Sequence, residues 1–373
     1  MAPNPDQYRL TEEQHQAIFE QDIKPVLFAG ARPVERPVAV IFGGQPGAGK
    51  SAAVEAAKEE LGPRGGAVEI IGDDLRGFHP HYARLMANDD KTAAFYTDRD
   101  TGRWVEKAIA EAKAQRINVV IEGTMRDGAK VAATMESLRA AGYLIDARAL
   151  AVNARLSEQG ILQRYENQKA DRGVGRMTTA EAHQAAYDGM LQTLDRIERD
   201  KLADRVTIYR RGAEAIHGNA LENGQWAQEP QARAVVEAER ARPMTLLERR
   251  DYSKGFDDLA GMLAKPSRQA SAAEVSRVAE LQRQARAMVA AEVFRQESPE
   301  QAMRQHPELA PAYGAIQAIE AKAKVEGLDP QQRALVMARV HENAARSIER
   351  GHVPDVQVIE KEQARESRRE PER

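Results

Sequence analysis

The chain has 373 residues, 42% apolar, 30% charged and 5% aromatic, with a formal net charge of −3 and no cysteine. That length provides for one α/β domain plus an appended unit, and the composition predicts many solvated helices, so that helix outweighs strand. The near-even charge balance supplies no basic face for nucleic acid, and the absence of thiols excludes disulfides and thiolate metal sites while fitting a reducing cytoplasm.

The first segment, MAPNPDQYRLTEEQ, has neither a basic nor an apolar leader character. No run anywhere reaches about 18 uninterrupted apolar residues. A soluble, untargeted cytoplasmic protein without a membrane partner is expected. Residues Thr11 to Ile23 predict a helix capped by Thr11, with Glu13 close behind it. The pattern then changes to short apolar runs at Val38 to Phe42, Ala67 to Ile71, Asn118 to Ile121, Leu144 to Ala151 and Val206 to Tyr209. Such runs read as buried parallel strands. Helical segments separate them, at Ser51 to Leu61, Thr92 to Gln115, Lys130 to Ala141, Ala154 to Ala170 and Thr179 to Lys201. Strand and helix in alternation predict an α/β fold with a mostly parallel sheet and helices on both faces, which the GQPGAGKS stretch after the first strand, fitting G-x-x-x-x-G-K-[ST], makes one of the P-loop NTPase type. Ligands of such sheets bind at the carboxyl ends of the strands.

Beyond about Gly224 the strand pattern gives way to helix and loop. Ser298-Pro299 and Asp329-Pro330 are helix starts with proline at the first position, and Gly351 stops a helix whose apolar stripe is Leu335, Val336, Val340, Ala344 and Ile348. A second stripe runs through Val275, Val278, Leu281, Met288 and Val289. The division expected is the α/β domain over 1–263 and a helical extension over 264–373, whose end, EKEQARESRREPER, has too little to bury to be ordered.

The chemistry begins in Gly44, Gln45, Pro46, Gly47, Ala48, Gly49, Lys50 and Ser51, which fit G-x-x-x-x-G-K-[ST] between a predicted strand and a helix. Glycines let successive amides point at the phosphates of ATP, Lys50 bridges phosphate oxygens, and the Ser51 hydroxyl serves Mg²⁺. Asp73 and Asp74 follow the second strand. Either could take a proton from an acceptor hydroxyl, or cap the next turn. Glu122, Thr124 and Arg126 end the third strand, a cluster suited to a polar or phosphorylated substrate or to supporting Mg²⁺-bound water, although Arg126 could equally be a surface residue. Arg164, Arg172 and Arg176 lie late in one helix and in the Gly-containing loop after it, where arginines can descend onto a transferring phosphoryl group or simply form a charged face.

Taken in order, GGQPGAGKS, GDDLRGFHPHY, IEGTMRD, RYE and an arginine ahead of TT-x-E-x-H resemble the zeta toxin family of toxin–antitoxin kinases over roughly residues 10–225. That resemblance implies phosphorylation of UDP-N-acetylglucosamine on its sugar 3′-hydroxyl. It implies Lys50 and Ser51 as ligands of ATP and Mg²⁺, and Asp73 rather than Asp74 as general base. It further implies Glu122, Thr124 and Arg126 in the sugar-nucleotide pocket, Arg164 and Arg176 as phosphate clamps, and Arg76 with His79 to Tyr82 in the loop beside the acceptor. His79 and His81 read as structural. The alternatives are a P-loop kinase of another small acceptor, such as a nucleoside or an antibiotic, or a protein acting through its helical extension. Members of the family are held inactive by a separate helical antitoxin. Here the extension raises the further expectation of self-inhibition.

Overall fold

The computed structural model describes Asn4 and residues 6–355, so the terminal polar segment lies outside the described residues. Five strands form where the apolar runs predict them: β1 (Val38–Gly43), β2 (Val68–Ile71), β3 (Val119–Glu122), β4 (Leu144–Ala151) and β5 (Arg205–Arg210). All pair in parallel, in the order β2-β3-β1-β4-β5. Every residue of β1 is buried because successive side chains enter opposite faces and both faces are covered. Ala39 and Ile41 pack with Trp104, Met135 and Ile145, whereas Val38, Val40 and Phe42 pack with Val54, Ala57 and Leu61.

Two further strands, β6 (Ala215–Glu222) and β7 (Gln225–Trp226), extend the sheet in antiparallel fashion and were not expected. Ala215–Glu222 alternates only weakly, with Gly218 and Asn219 in its middle, and it is held to β5 mainly by backbone pairing. The signal that could have found the hairpin is Asn223-Gly224, whose φ values of +52° and +76° form the two-residue turn.

The helices of this part are α1 (Glu12–Ile18), α2 (Lys24–Leu27), α3 (Ser51–Leu61), α4 (Tyr82–Asn88), α5 (Ala93–Gln115), α6 (Gly128–Ala140), α7 (Ala154–Arg172), α8 (Ala180–Arg199) and α9 (Ala232–Ala241). Thr11 caps α1 as expected, with Gln14 rather than Glu13 completing the reciprocal pair of cap hydrogen bonds. Because β1 pairs with β3 on one side and β4 on the other, the chain changes direction across the sheet at β1, and a crevice opens above that strand's carboxyl end.

The chain forms two compact units, one of residues 1–243 with 266–268 and one of 244–265 with 269–373. The division therefore falls after Pro243, ahead of the boundary read at 263, because α10 (Leu246–Leu263) packs along α11 (Ala272–Gln296). The second unit continues with α12 (Pro299–Gln305), α13 (Ala310–Val325) and α14 (Pro330–Glu349), capped by Ser298 and Asp329 as predicted. Its core joins Val289, Phe294, Leu309, Tyr313 and Ile348, and Arg249 and Arg295 both pair with Glu349. The α14 stripe is shorter than predicted. Ala344 and Ile348 are buried, but Leu335 is 74% exposed, since the first turns of α14 contribute nothing to that core. No described helix is long and apolar enough to cross a membrane.

Candidate active site

Residues 44–51 leave the end of β1 and run into α3, so the amides at the start of that 11-residue helix have no side-chain cap and face the crevice with the helix's positive end. Gly47 and Gly49 hold φ of +78° and +84°, which the curl of the loop requires and which L side chains resist. Gly47 also lies against α7. An added Cβ would lie far inside van der Waals contact distance of the Ser157 carbonyl oxygen, and Gly160 meets the loop from the other side in the same way. Gly47→Ala is therefore expected to destabilise the protein by about 1–3 kcal/mol through overpacking and positive-φ strain, read as a fall in Tm. An unchanged Tm would show that the loop stands free of α7.

Lys50 is 8% exposed, and its ammonium donates to the Gly44 carbonyl at 2.9 Å while Glu122 Oε1 lies 3.5 Å away. Burial lowers its pKa, against the pull of Glu122. Thus a desolvated cation stands at the start of α3, an arrangement chemically suited to phosphate oxygens. Asp73 follows β2 and is paired with Arg76 at 3.2 Å and with Arg176. Burial acts to raise its pKa, but the charges of Arg176 and Arg76 outweigh it and hold the carboxyl below the ordinary carboxylate range. Asp74 is exposed and makes no such pair among the described residues.

Arg164 reaches the same region from α7. It donates to Thr178 Oγ1 at 2.8 Å, its Nε–H has no acceptor among the described residues, and burial together with the neighbouring Arg176 pulls its pKa down to about 10. Two crowded guanidiniums beside one carboxylate form a site short of negative charge, so the residues fit a phosphorylated ligand. The loop carrying Arg176 is pinned at several points. Gly175 N–H donates to Asp90 at 3.2 Å, Arg176 N–H donates to Gln168 at 2.8 Å, and Asp90 also accepts from Tyr165 and Lys169. Arg268, which belongs to this compact unit, pairs with Glu166 of the RYE block through two contacts of 2.7 and 3.0 Å.

Of the residues expected near the acceptor, Glu122 joins Lys50, whereas Arg126 is exposed and Thr124 is partly buried. Met125 between them has φ +51°, and its carbonyl accepts from Thr193 Oγ1 at 2.6 Å, which fastens this loop to α8. Arg76 is occupied as a brace, since it donates to Ala94 O at 2.8 Å, Thr97 Oγ1 at 3.0 Å and Asp98 at 2.6 Å besides Asp73. His79 is 2% exposed between Asp100 Oδ2 at 3.3 Å and the His81 amide, which donates to its Nδ1. His81 lies against Tyr8 with ring centroids 5.4 Å apart. Both histidines sit in packing contacts, in keeping with a structural role.

Sequence reasoning missed Asp90, Thr193, Ser157 and His183, whose side chains hold the loops that carry the charged groups. It also missed Arg211, whose stem lies 3.9 Å from where a side chain on Gly49 would begin and whose guanidinium donates to Leu156 O at 2.9 Å. Only the histidine of TT-x-E-x-H stood in a recognised block. His183 Nε2 lies 2.8 Å from Ser157 Oγ.

The family model for zeta toxins matches residues 27–222. The chain is 29% identical over 192 residues to the toxin PezT of Streptococcus pneumoniae, covering 51% of this chain and 75% of that one. It is 30% identical over 199 residues to the toxin zeta of Enterococcus hirae, covering 52% and 69%. A solved structure from the PezAT chromosomal toxin–antitoxin system of Streptococcus pneumoniae shares the fold with a TM-score of 0.60 at 23% identity, over 69% of this chain and 100% of that chain.

Proposed function

The chain belongs to the zeta toxin family, a family of toxin–antitoxin kinases, and we propose that it transfers the γ-phosphoryl group of ATP to the sugar 3′-hydroxyl of UDP-N-acetylglucosamine. The observation that carries this reading is the meeting of Lys50, Asp73, Glu122, Arg164 and Arg176 above the carboxyl ends of β1, β2 and β3, with cations in excess until a phosphorylated ligand arrives. Asp73 accepts the hydroxyl proton as that oxygen bonds to the γ-phosphorus, while the bond to the β,γ-bridging oxygen breaks and ADP departs. Lys50 and the loop amides hold the phosphate oxygens in line. Arg164 and Arg176 take up the charge on the moving phosphoryl group. Arg176 must then exchange some of its hold on Asp73 for phosphate, which frees the carboxylate to meet the acceptor.

No group of three His, Asp or Glu side chains able to hold a metal occurs among the described residues. Mg²⁺ would accordingly enter with the nucleotide and take the Ser51 hydroxyl as its protein ligand. In this reading Thr124 and Arg126, on the loop fastened by Thr193, would contribute contacts to the acceptor's polar groups. A separate antitoxin is the proposed partner. One relative of the same fold was characterised within a toxin–antitoxin system.

The test is incubation of the purified chain with ATP, Mg²⁺ and UDP-N-acetylglucosamine, followed by mass spectrometry of the sugar nucleotide. A singly phosphorylated product bearing the group at the 3′ position is expected. Turnover of a nucleoside or an antibiotic in a parallel panel, with the sugar nucleotide untouched, would overturn the acceptor and keep the kinase.

A further inference from the structure

The second residue of the phosphate loop is wired to a part of the chain outside the family match. Gln45 is completely buried, and its amide nitrogen donates to Val152 O at 2.8 Å and to Ser157 Oγ at 3.2 Å, the hydroxyl that His183 also touches. Its carbonyl oxygen accepts a hydrogen bond from Arg240 at 3.2 Å. Arg240 lies on α9, beyond residue 222, where the family match ends.

Arg240 is an unusual residue to find there. It is 5% exposed, its guanidinium lies 3.7 Å over the ring of Tyr187, and it donates to the Tyr187 carbonyl at 2.8 Å. Its Nε–H has no acceptor, and no ion pair joins it to a carboxylate among the described residues, although Asp188 and Glu237 are close enough to act on its charge. Burying a cation without its counterion works against folding, so packing alone gives no reason for arginine over a neutral side chain of similar length. What arginine adds is a donor that fixes Gln45 together with a positive charge on the protein side of a loop whose other side collects anionic oxygens.

We propose that Arg240 is a positioning residue of the nucleotide site, one that locks the phosphate loop through Gln45 and whose charge, met by the Tyr187 ring but by no ion pair among the described residues, is matched by the phosphates of bound nucleotide. The inference rests on reading residues 44–51 as the ATP site. It explains why the loop's only long polar side chain besides Lys50 is turned into the protein, and why α9 is held at its end by Asn153, whose amide donates to the Arg240 carbonyl at 3.0 Å.

Two variants of the full chain separate the charge from the packing. Arg240→Met keeps an apolar stem beside Tyr187 and removes the charge, and Arg240→Lys keeps the charge. Affinities for ATP, ADP and adenosine, measured by calorimetry, are expected to change unequally. Arg240→Met should weaken ATP on the order of ten- to a hundredfold, the scale of one lost charge-assisted hydrogen bond, with less effect on ADP and none on adenosine. Arg240→Lys should retain the preference for ATP over adenosine, and in kinetic assays the KM for ATP should move while that for the acceptor stays. Unchanged ATP affinity in Arg240→Met overturns the proposal, as does an equal loss for adenosine, the mark of a merely structural role. If Arg240→Met does not fold, Arg240→Lys decides, because loss of the phosphate preference there is equally fatal. A wild-type chain that binds no ATP would instead remove the kinase reading beneath it.

Discussion

Lys50→Ala is expected to lower kcat/KM for phosphoryl transfer by roughly a thousandfold or more, the scale on which kinases lose a cation that acts on the moving phosphoryl group. The ammonium is buried and held against Gly44 O and Glu122, so it is already positioned before the nucleotide arrives and no reorganisation is spent in the transition state. Its lowered pKa expresses the same fact, since burial has stripped the ammonium of water and phosphate oxygens replace that solvation. The variant should nevertheless fold. Glu122 keeps 20% of its side chain in contact with solvent, so it is not stranded when its partner is removed. Steady-state kinetics alongside circular dichroism would check both halves, and full turnover by a folded Lys50→Ala protein would remove residues 44–51 from the chemistry.

The second large effect is expected at Asp73. Asp73→Asn should reduce acceptor phosphorylation by roughly a hundred- to ten-thousandfold, the range for loss of a general base, while ATP still binds. Asp74→Asn should cost less than about tenfold, because Asp74 is exposed and makes no ion pair with a guanidinium among the described residues. Greater loss at Asp74 would reverse the assignment. The two arginines also set the pH dependence. The folded-state pKa of Asp73 lies below the ordinary value, so its contribution to stability is present above the ordinary carboxylate range and is lost only as the pH falls through the lowered pKa. The acid limb of the rate profile should accordingly lie below that range. An acid limb near neutrality would assign the base to another group.

Much of this protein was legible before any coordinates. The apolar runs at Val38 to Phe42, Ala67 to Ile71, Asn118 to Ile121, Leu144 to Ala151 and Val206 to Tyr209 became five parallel strands because strands covered on both faces are rich in apolar residues, at every position in β1, and that signal is local. The same holds for Thr11, Ser298 and Asp329, whose caps depend on residues three positions away. Gly47 and Gly49 in their spacing specified the tight loop between β1 and α3, since few residues other than glycine tolerate positive φ there.

Tertiary structure decided what depends on residues far apart in the chain. It put Asp73 between Arg76 and Arg176 and left Asp74 exposed, a distinction that adjacent identical residues cannot express in sequence. Packing likewise turned Arg76 into a brace for α5, gave α10 to the helical unit, and brought Asp90 under the loop that carries Arg176. Arg240 is the clearest case. An arginine in a charged, Ala-rich helix reads as solvated surface, and only the closing of α9 over Tyr187 and Gln45 makes it a buried cation behind residues 44–51. Local propensity and periodicity determine which elements form, whereas the charge of a side chain takes its meaning from what lies within a few ångströms once the elements have packed.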